Sequence, residues 1–211
     1  MSTPIYQLAV IKNNISMWQA YNALSEEERN DLTGKMNAST ENVGGKTILA
    51  CYSAWADEEH PYWNLLYFPS VEARIQQTLK LQEIGWLQGV DAFTLMGTSE
   101  SEPLEVTIPN PIYKLWVTRA SPAVNQYVSQ FSQEEIKMYE KEVYSISQDV
   151  GAVQVIQCDS YWCNEDFPSF GVIAYPSIEA DMEHMKALEK LGWKRAFNAF
   201  TLLGTPSEMT G

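Results

Sequence analysis

The chain has 211 residues, a net charge of −13, 45% hydrophobic residues and 12% aromatic residues. That composition belongs to a folded protein rather than a disordered one. The acidic balance argues against nucleic acid and against an anionic membrane surface, because no basic stripe exists to meet phosphates.

No apolar run reaches the length needed to cross a bilayer. The opening Met-Ser-Thr-Pro-Ile-Tyr has neither a basic n-region nor an apolar core, so no secretory signal is expected. The three cysteines are an odd number without metal-ligand spacing. Cys51 and Cys158 lie in strand-like runs and read as small buried hydrophobes, and Cys163 stands alone. A cytoplasmic location is the expectation.

The chain is written twice. Residues 4–98 align with residues 111–205 at one constant offset without a gap, and about 29 of roughly 95 positions are identical, which marks an internal duplication. Pro-Ile-Tyr, Pro-Ser-x-Glu-Ala, Gly-Trp and Ala-Phe-Thr-Leu-x-Gly-Thr recur in both copies. The expected organisation is repeat 1 at 1–98, a linker at 99–110, repeat 2 at 111–205 and a tail at 206–211. The linker is polar and carries two prolines.

Each copy begins with a strand, at 5–12 in the first. Tyr6, Leu8 and Val10 share one parity there, as do Tyr113, Leu115 and Val117 in the second copy. A broken helix follows. Ser121-Pro122 reads as an N-cap with proline in the first turn. Ser25 with Glu28, and Ser132 with Glu135, read as capping boxes that start the main helical pieces near Glu26 and Gln133. Gly44 and Gly151 suit left-handed turns into second strands at 47–55 and 154–162. Hairpin loops at 56–61 and 163–168 lead to third strands at 62–68 and 169–175. Pro-Ser then opens a second helix with one apolar face, Gly-Trp closes it, and a last strand runs through 93–96 or 200–203.

The order is β-α-β-β-α-β, twice. This is an α+β chain of two tandem ferredoxin-like repeats, each an antiparallel four-stranded sheet with its helices on one face. Packing the two bare sheet faces together, as an intramolecular barrel, is the simplest way to bury them. On this element order, and on Leu-Ser-x-Glu-Glu and Gly-Trp, the chain resembles the dimeric α/β-barrel superfamily in a fused form, similar to uncharacterised bacterial members. That resemblance implies a ligand site between sheet and helices or inside the barrel. The group includes cofactor-independent monooxygenases, cyclases, isomerases, haem enzymes and stress-related proteins, so fold alone does not choose a function.

The candidate site residues are polar positions on strands. Gln7, Lys114, Tyr52, Gln157 and Asp159 lie at the parity at which the two copies vary, and Thr94 and Thr201 sit on the last strands. Buried and unpaired, Lys114 or Asp159 would be costly, so each must pair, bind something or reach water. Meeting in a pocket, they could act as acid and base, with Tyr52 and Tyr161 supplying hydroxyls. The bland alternative is an internal ion pair or a solvated strand end. Trp55 and Trp162 read as core or rim aromatics, or as walls for a flat ligand. Ser53 and Ser160 are identical in both copies but have no histidine nearby in sequence to activate them. Asp57, Glu58, Glu59 and His60 form a solvated loop rather than a metal site, because adjacent residues at a hairpin tip cannot converge on one ion. His184 reads as exposed.

No cofactor and no metal are expected. The expected partner is a small apolar or aromatic molecule, bound or converted without a cofactor, with no nucleic acid or membrane involved. The protein is expected to be a monomeric fused barrel or a homodimer. The alternative is a non-catalytic binding, stress-related or structural assembly protein with a filled interior.

Overall fold

A computed structural model describes residues 3–207, apart from the side chains of Met17, Gln88 and Ala196. The described residues form two compact units, one built on residues 3–98 and the other on residues 99–206. The first contains β1 (Ile5–Ile11), α1 (Ile15–Ala23), α2 (Glu26–Glu41), β2 (Lys46–Tyr52), β3 (Tyr62–Phe68), α3 (Val71–Glu83), α4 (Trp86–Gly89) and β4 (Ala92–Gly97). The second repeats this order as β5 (Ile112–Thr118), α5 (Pro122–Val128), α6 (Gln133–Asp149), β6 (Val153–Asp159), β7 (Ser169–Tyr175), α7 (Ile178–Lys190), α8 (Trp193–Ala196) and β8 (Ala199–Pro206). Of the tail expected at 206–211, Pro206 ends β8 and residues 208–211 lie outside the described residues. Strand order is β4-β1-β3-β2 in one unit and β8-β5-β7-β6 in the other. Within each unit the pairings of the central strands are antiparallel, giving an α+β ferredoxin-like architecture.

Local chemistry accounts for the element boundaries. Ser25 and Ser132 each receive the amide of the glutamate three residues on at 3.3 Å, and each donates its own amide to that glutamate's Oε2 at 2.7 Å. These reciprocal caps satisfy donors that a helix start leaves free. They also hold the Glu28 and Glu135 carboxyls below the usual range, through the hydrogen bonds to Ser25 and Ser132. Gly44 (φ 74°) and Gly151 (φ 69°) take the left-handed turn after α2 and α6, where a side chain would be strained.

Two boundaries differ from the sequence expectation. Gly85 and Gly192 do end α3 and α7, in left-handed conformation, but Trp86 and Trp193 then open further one-turn helices. The second strands stop at Tyr52 and Asp159, three residues early. The amides of Ser53 and Ser160 instead donate to Pro61 O and Pro168 O, at 2.8 and 2.9 Å. Their hydroxyls donate to His60 O and Phe167 O, both at 2.5 Å. Both serines are fully buried, so their identity in the two copies reflects a loop carbonyl that must be satisfied.

Each sheet separates two kinds of residue. Leu8, Val10, Cys51, Trp63, Leu65 and Leu95 lie on the face opposite the helices and are at most 2% exposed. Leu115, Val117, Cys158, Phe170, Val172 and Leu202 do the same in the second unit, at 3% exposed or less. Burying each such leucine or valine contributes about 1.5–3 kcal/mol. Cys51 and Cys158 are small hydrophobes here: burial raises both thiols, that of Cys158 to about 12. Among the described residues no helix is long and apolar enough to cross a membrane.

Candidate functional site

The helix-facing side of each sheet carries the polar groups. Strand alternation puts Ile112, Lys114, Trp116 and Thr118 on that side of β5. Lys114 Nζ meets Asp181 Oδ1 of α7 at 2.7 Å, with both side chains only 10% exposed. One turn along α7 comes His184, itself 2% exposed. Its Nδ1 lies 2.7 Å from Tyr175 Oη, and its Nε2 lies 3.1 Å from Ser147 Oγ of α6. Ser147 gives its single hydroxyl proton to Val143 O at 3.0 Å. Nε2 therefore carries the ring proton, and Nδ1 accepts from Tyr175. Burial first, then the charge of Lys114, holds the His184 pKa below its ordinary value, while Asp181 opposes the shift. Burial, and after it Asp181, pushes the Tyr175 phenol well above the usual range. The imidazole is thus hydrogen-bonded at both nitrogens.

Beside this closed network the sheet is more open. Trp116 is half-buried and pairs across the strands with Gly171 on one side and Thr201 on the other. A Cβ on Gly171 would come within 2.5 and 2.7 Å of the Trp116 ring and 2.6 Å of Ile156 O. Only glycine lets the indole lie there. Gln157, opposite Gly171, and Thr201 are exposed, so one row across the sheet reads Thr201, Trp116, Gly171, Gln157. In the helical layer Tyr139 stacks with Trp193 (6.3 Å, 6°), and Trp193 stacks with Phe197 (3.7 Å, 7°). The Tyr139 hydroxyl is buried and has no hydrogen-bond partner among the described residues.

The first unit holds different chemistry at the matching positions. Gln7 stands for Lys114, Arg74 for Asp181, Gln77 for His184, Thr40 for Ser147 and Phe68 for Tyr175. Arg74 Nε donates to Gln7 Oε1. Gln77 Nε2 donates to Thr40 Oγ1 at 3.0 Å. Ala9 and Asn64 occupy the places of Trp116 and Gly171.

The expected acid–base pair does not form. Lys114 is committed to Asp181, whereas Asp159 is exposed at its strand end, where its Oδ1 accepts the Tyr161 amide at 2.9 Å. Their partners on β7, Ile173 and Ser169, are four residues or roughly 13 Å apart, too far for direct contact. Tyr161 is 58% exposed, and Tyr52, 40% exposed, packs on Tyr62 with ring centroids 5.3 Å apart. Trp55 (43%) and Trp162 (46%) sit on the hairpin turns rather than in a core. Thr94 is exposed, in one row with Ala9, Asn64 and Ala50. His184 is buried, not exposed, because it faces the sheet and Ser147. On the hairpin loop His60 Nδ1 bonds Asp57 Oδ2 at 2.9 Å, and this contact holds the Asp57 carboxyl below its ordinary range.

Sequence reasoning missed Asp181, Tyr175 and Arg74, and it placed His184 on the surface. The signal was present. All four are positions where the copies differ in chemistry, but they lie on helices or a strand end, where strand alternation gives no facing.

Solved structures of the same fold exist. The chain is similar to a mutant chlorite dismutase from Candidatus Nitrospira defluvii, with a TM-score of 0.76 and 13% identity over 100% of this chain and 94% of that one. The imidazole complex of chlorite dismutase from the same organism gives a TM-score of 0.77 and 12% identity, over 99% and 92%. A heme-binding protein from Thermus thermophilus gives a TM-score of 0.69 and 8% identity, over 98% and 91%. No family model and no curated protein matches the chain. At these identities the likeness is one of fold.

Proposed function

We propose that this protein binds a flat, largely apolar small molecule against Trp116, on the helix-facing side of the second unit's sheet. The observation that carries this reading is the indole laid on Gly171, a half-buried aromatic surface flanked by exposed Gln157 and Thr201. An aromatic plane with a few polar groups at its edge is the usual make-up of a small-molecule site. Neighbours in fold include a heme-binding protein, which supports a small ligand in this architecture.

A histidine-ligated haem does not fit the residues present. His184 has both ring nitrogens in use and is 2% exposed. His60 is tied to Asp57 on a hairpin loop. The proposed ligand is therefore one held without a histidine–iron bond. Binding is favoured over turnover, because Lys114 pairs with Asp181 and Tyr175 with His184, so these four buried groups are committed to one another.

Titrating the full-length protein with 2-naphthol, followed by calorimetry, tests the proposal. Saturable binding that weakens by about tenfold or more in Trp116→Ala is expected. Equal binding by the variant, or none by the parent, overturns it. Added haemin should give no sharp Soret band; a sharp band abolished by His184→Gln would restore the haem reading.

A further inference from the structure

The first unit contains a cation without an anion. Arg74 of α3 is half-buried, and its guanidinium carbon stands 5.7 Å from the centroid of the Phe68 ring. Nε donates to Gln7 Oε1, and Nη1 donates to Gln77 Oε1 at 2.9 Å and to Thr78 Oγ1. All three acceptors are neutral, and among the described residues no carboxylate pairs with Arg74. A guanidinium has five N–H donors. These contacts use the Nε–H and both hydrogens of Nη1, which leaves the two on Nη2. Nη2 makes no hydrogen bond among the described residues and is not one of the buried atoms that lack a partner, so it reaches the surface. Burial lowers the Arg74 pKa, a sign of the cost of holding this charge without a counterion.

The chain has 27 aspartates and glutamates, and the second unit places one of them, Asp181, at the equivalent position against a lysine. The first unit exchanges both partners and is left with a net positive charge in the same place. Three neutral acceptors orient the guanidinium firmly while neutralising nothing, which is how a site for an incoming anion is built.

We propose that Arg74, held by Gln7, Gln77 and Thr78, binds the carboxylate of a small organic acid through Nη2. Leu66 and Met96 flank Gln7 across the sheet and give an apolar surface for the body of such a molecule. A single free NH₂ group and an overall charge of −13 select a monocarboxylate over a multiply charged phosphate. This site lies wholly in the first unit and does not depend on the Trp116 reading.

The test uses full-length protein labelled with ¹⁵N at arginine, titrated with benzoate, with neutral benzamide and with inorganic phosphate. The expected result is saturable movement of the Arg74 Nε–H signal by benzoate alone. Affinity should fall about tenfold or more in Arg74→Gln, partly return in Arg74→Lys, and stay unchanged in Trp116→Ala. An Arg74 signal unmoved by benzoate overturns the proposal, as does equal binding by Arg74→Gln. Phosphate or benzamide moving the signal as much as benzoate overturns the carboxylate assignment. Should Arg74→Gln fail to fold, the parent's own Arg74 signal decides.

Discussion

The helix-facing interiors of the two units solve one problem with opposite chemistry. In the second unit Lys114 and Asp181 cancel each other at 2.7 Å, and Tyr175, His184 and Ser147 complete the network. In the first, Arg74 rests on neutral oxygens from Gln7, Gln77 and Thr78. One interior is electrically closed and the other is open to an anion. The backbone around them is nearly the same, down to equivalent irregularities in β2, between Thr47 and Leu49, and in β6, between Gln154 and Ile156. Duplication thus preserved the frame while the polar positions inside it diverged as sets rather than singly. A charge in one partner requires a matched change in the other.

The largest effect is expected from breaking the closed network. Lys114→Met leaves Asp181 buried without a cation and should lower the unfolding free energy by about 3–5 kcal/mol in urea titration. Installing the first unit's pair instead, as Lys114→Gln with Asp181→Arg, should recover most of that loss. If it recovers none, the two interiors are not interchangeable and the comparison fails.

Gly171→Ala comes next. Its new Cβ would meet the Trp116 ring and the backbone oxygen of Ile156, which cannot swing away, at a cost of about 1–3 kcal/mol. The matching change in the first unit, Asn64→Ala, should cost less than about 1 kcal/mol by the same measurement, since Ala9 leaves room there. Removing the capping serines should cost about 1 kcal/mol each. Ser25→Ala and Ser132→Ala should shift the denaturation midpoint alike, because the cap geometry is the same in both copies.

A smaller, pH-dependent difference separates His184 from Gln77. The folded pKa of His184 lies below the unfolded value of about 6.5, so the unfolded chain binds more protons as pH falls through that range. Its contribution to stability is full above about pH 6.5 and is lost as pH falls towards the depressed folded value. The urea midpoint should therefore drop on acidification from about pH 7.5 to about pH 5.5, and His184→Gln should flatten that slope. The capped glutamates Glu28 and Glu135 act only lower, below about pH 4.5, so they do not obscure it. Smallest of all, Tyr139→Phe removes a buried hydroxyl that has no partner among the described residues, and should be neutral or stabilising by up to about 1 kcal/mol. The first unit already carries an apolar residue, Leu32, at that position.

Much of the frame was legible in the chain itself. The strands at Tyr62–Phe68 and Ser169–Tyr175 fall where the sequence pattern places them, and the main helical pieces begin just after Ser25 and Ser132, which cap them. These features depend on contacts within a few residues, which sequence records directly. The second strands did not follow suit. Ser53 and Ser160 turn the chain by bonding to carbonyls seven residues on, and the run of strand-forming residues to Trp55 and Trp162 hid that stop.

For the candidate site the boundary lies elsewhere. The duplication by itself determined the two ferredoxin-like units and marked Gln7 and Lys114 as positions of divergent chemistry. Only the tertiary structure decided their partners: Arg74 and Asp181, each 67 residues away on a helix. The physical reason is reach. A strand residue's face follows from its own periodicity, but the group it meets is set by how a helix packs across the sheet. No spacing along one chain encodes that distance. That is why Lys114 was recognisable as a charge needing a partner, while Asp181 and the buried His184 became visible only once α7 lay against β5.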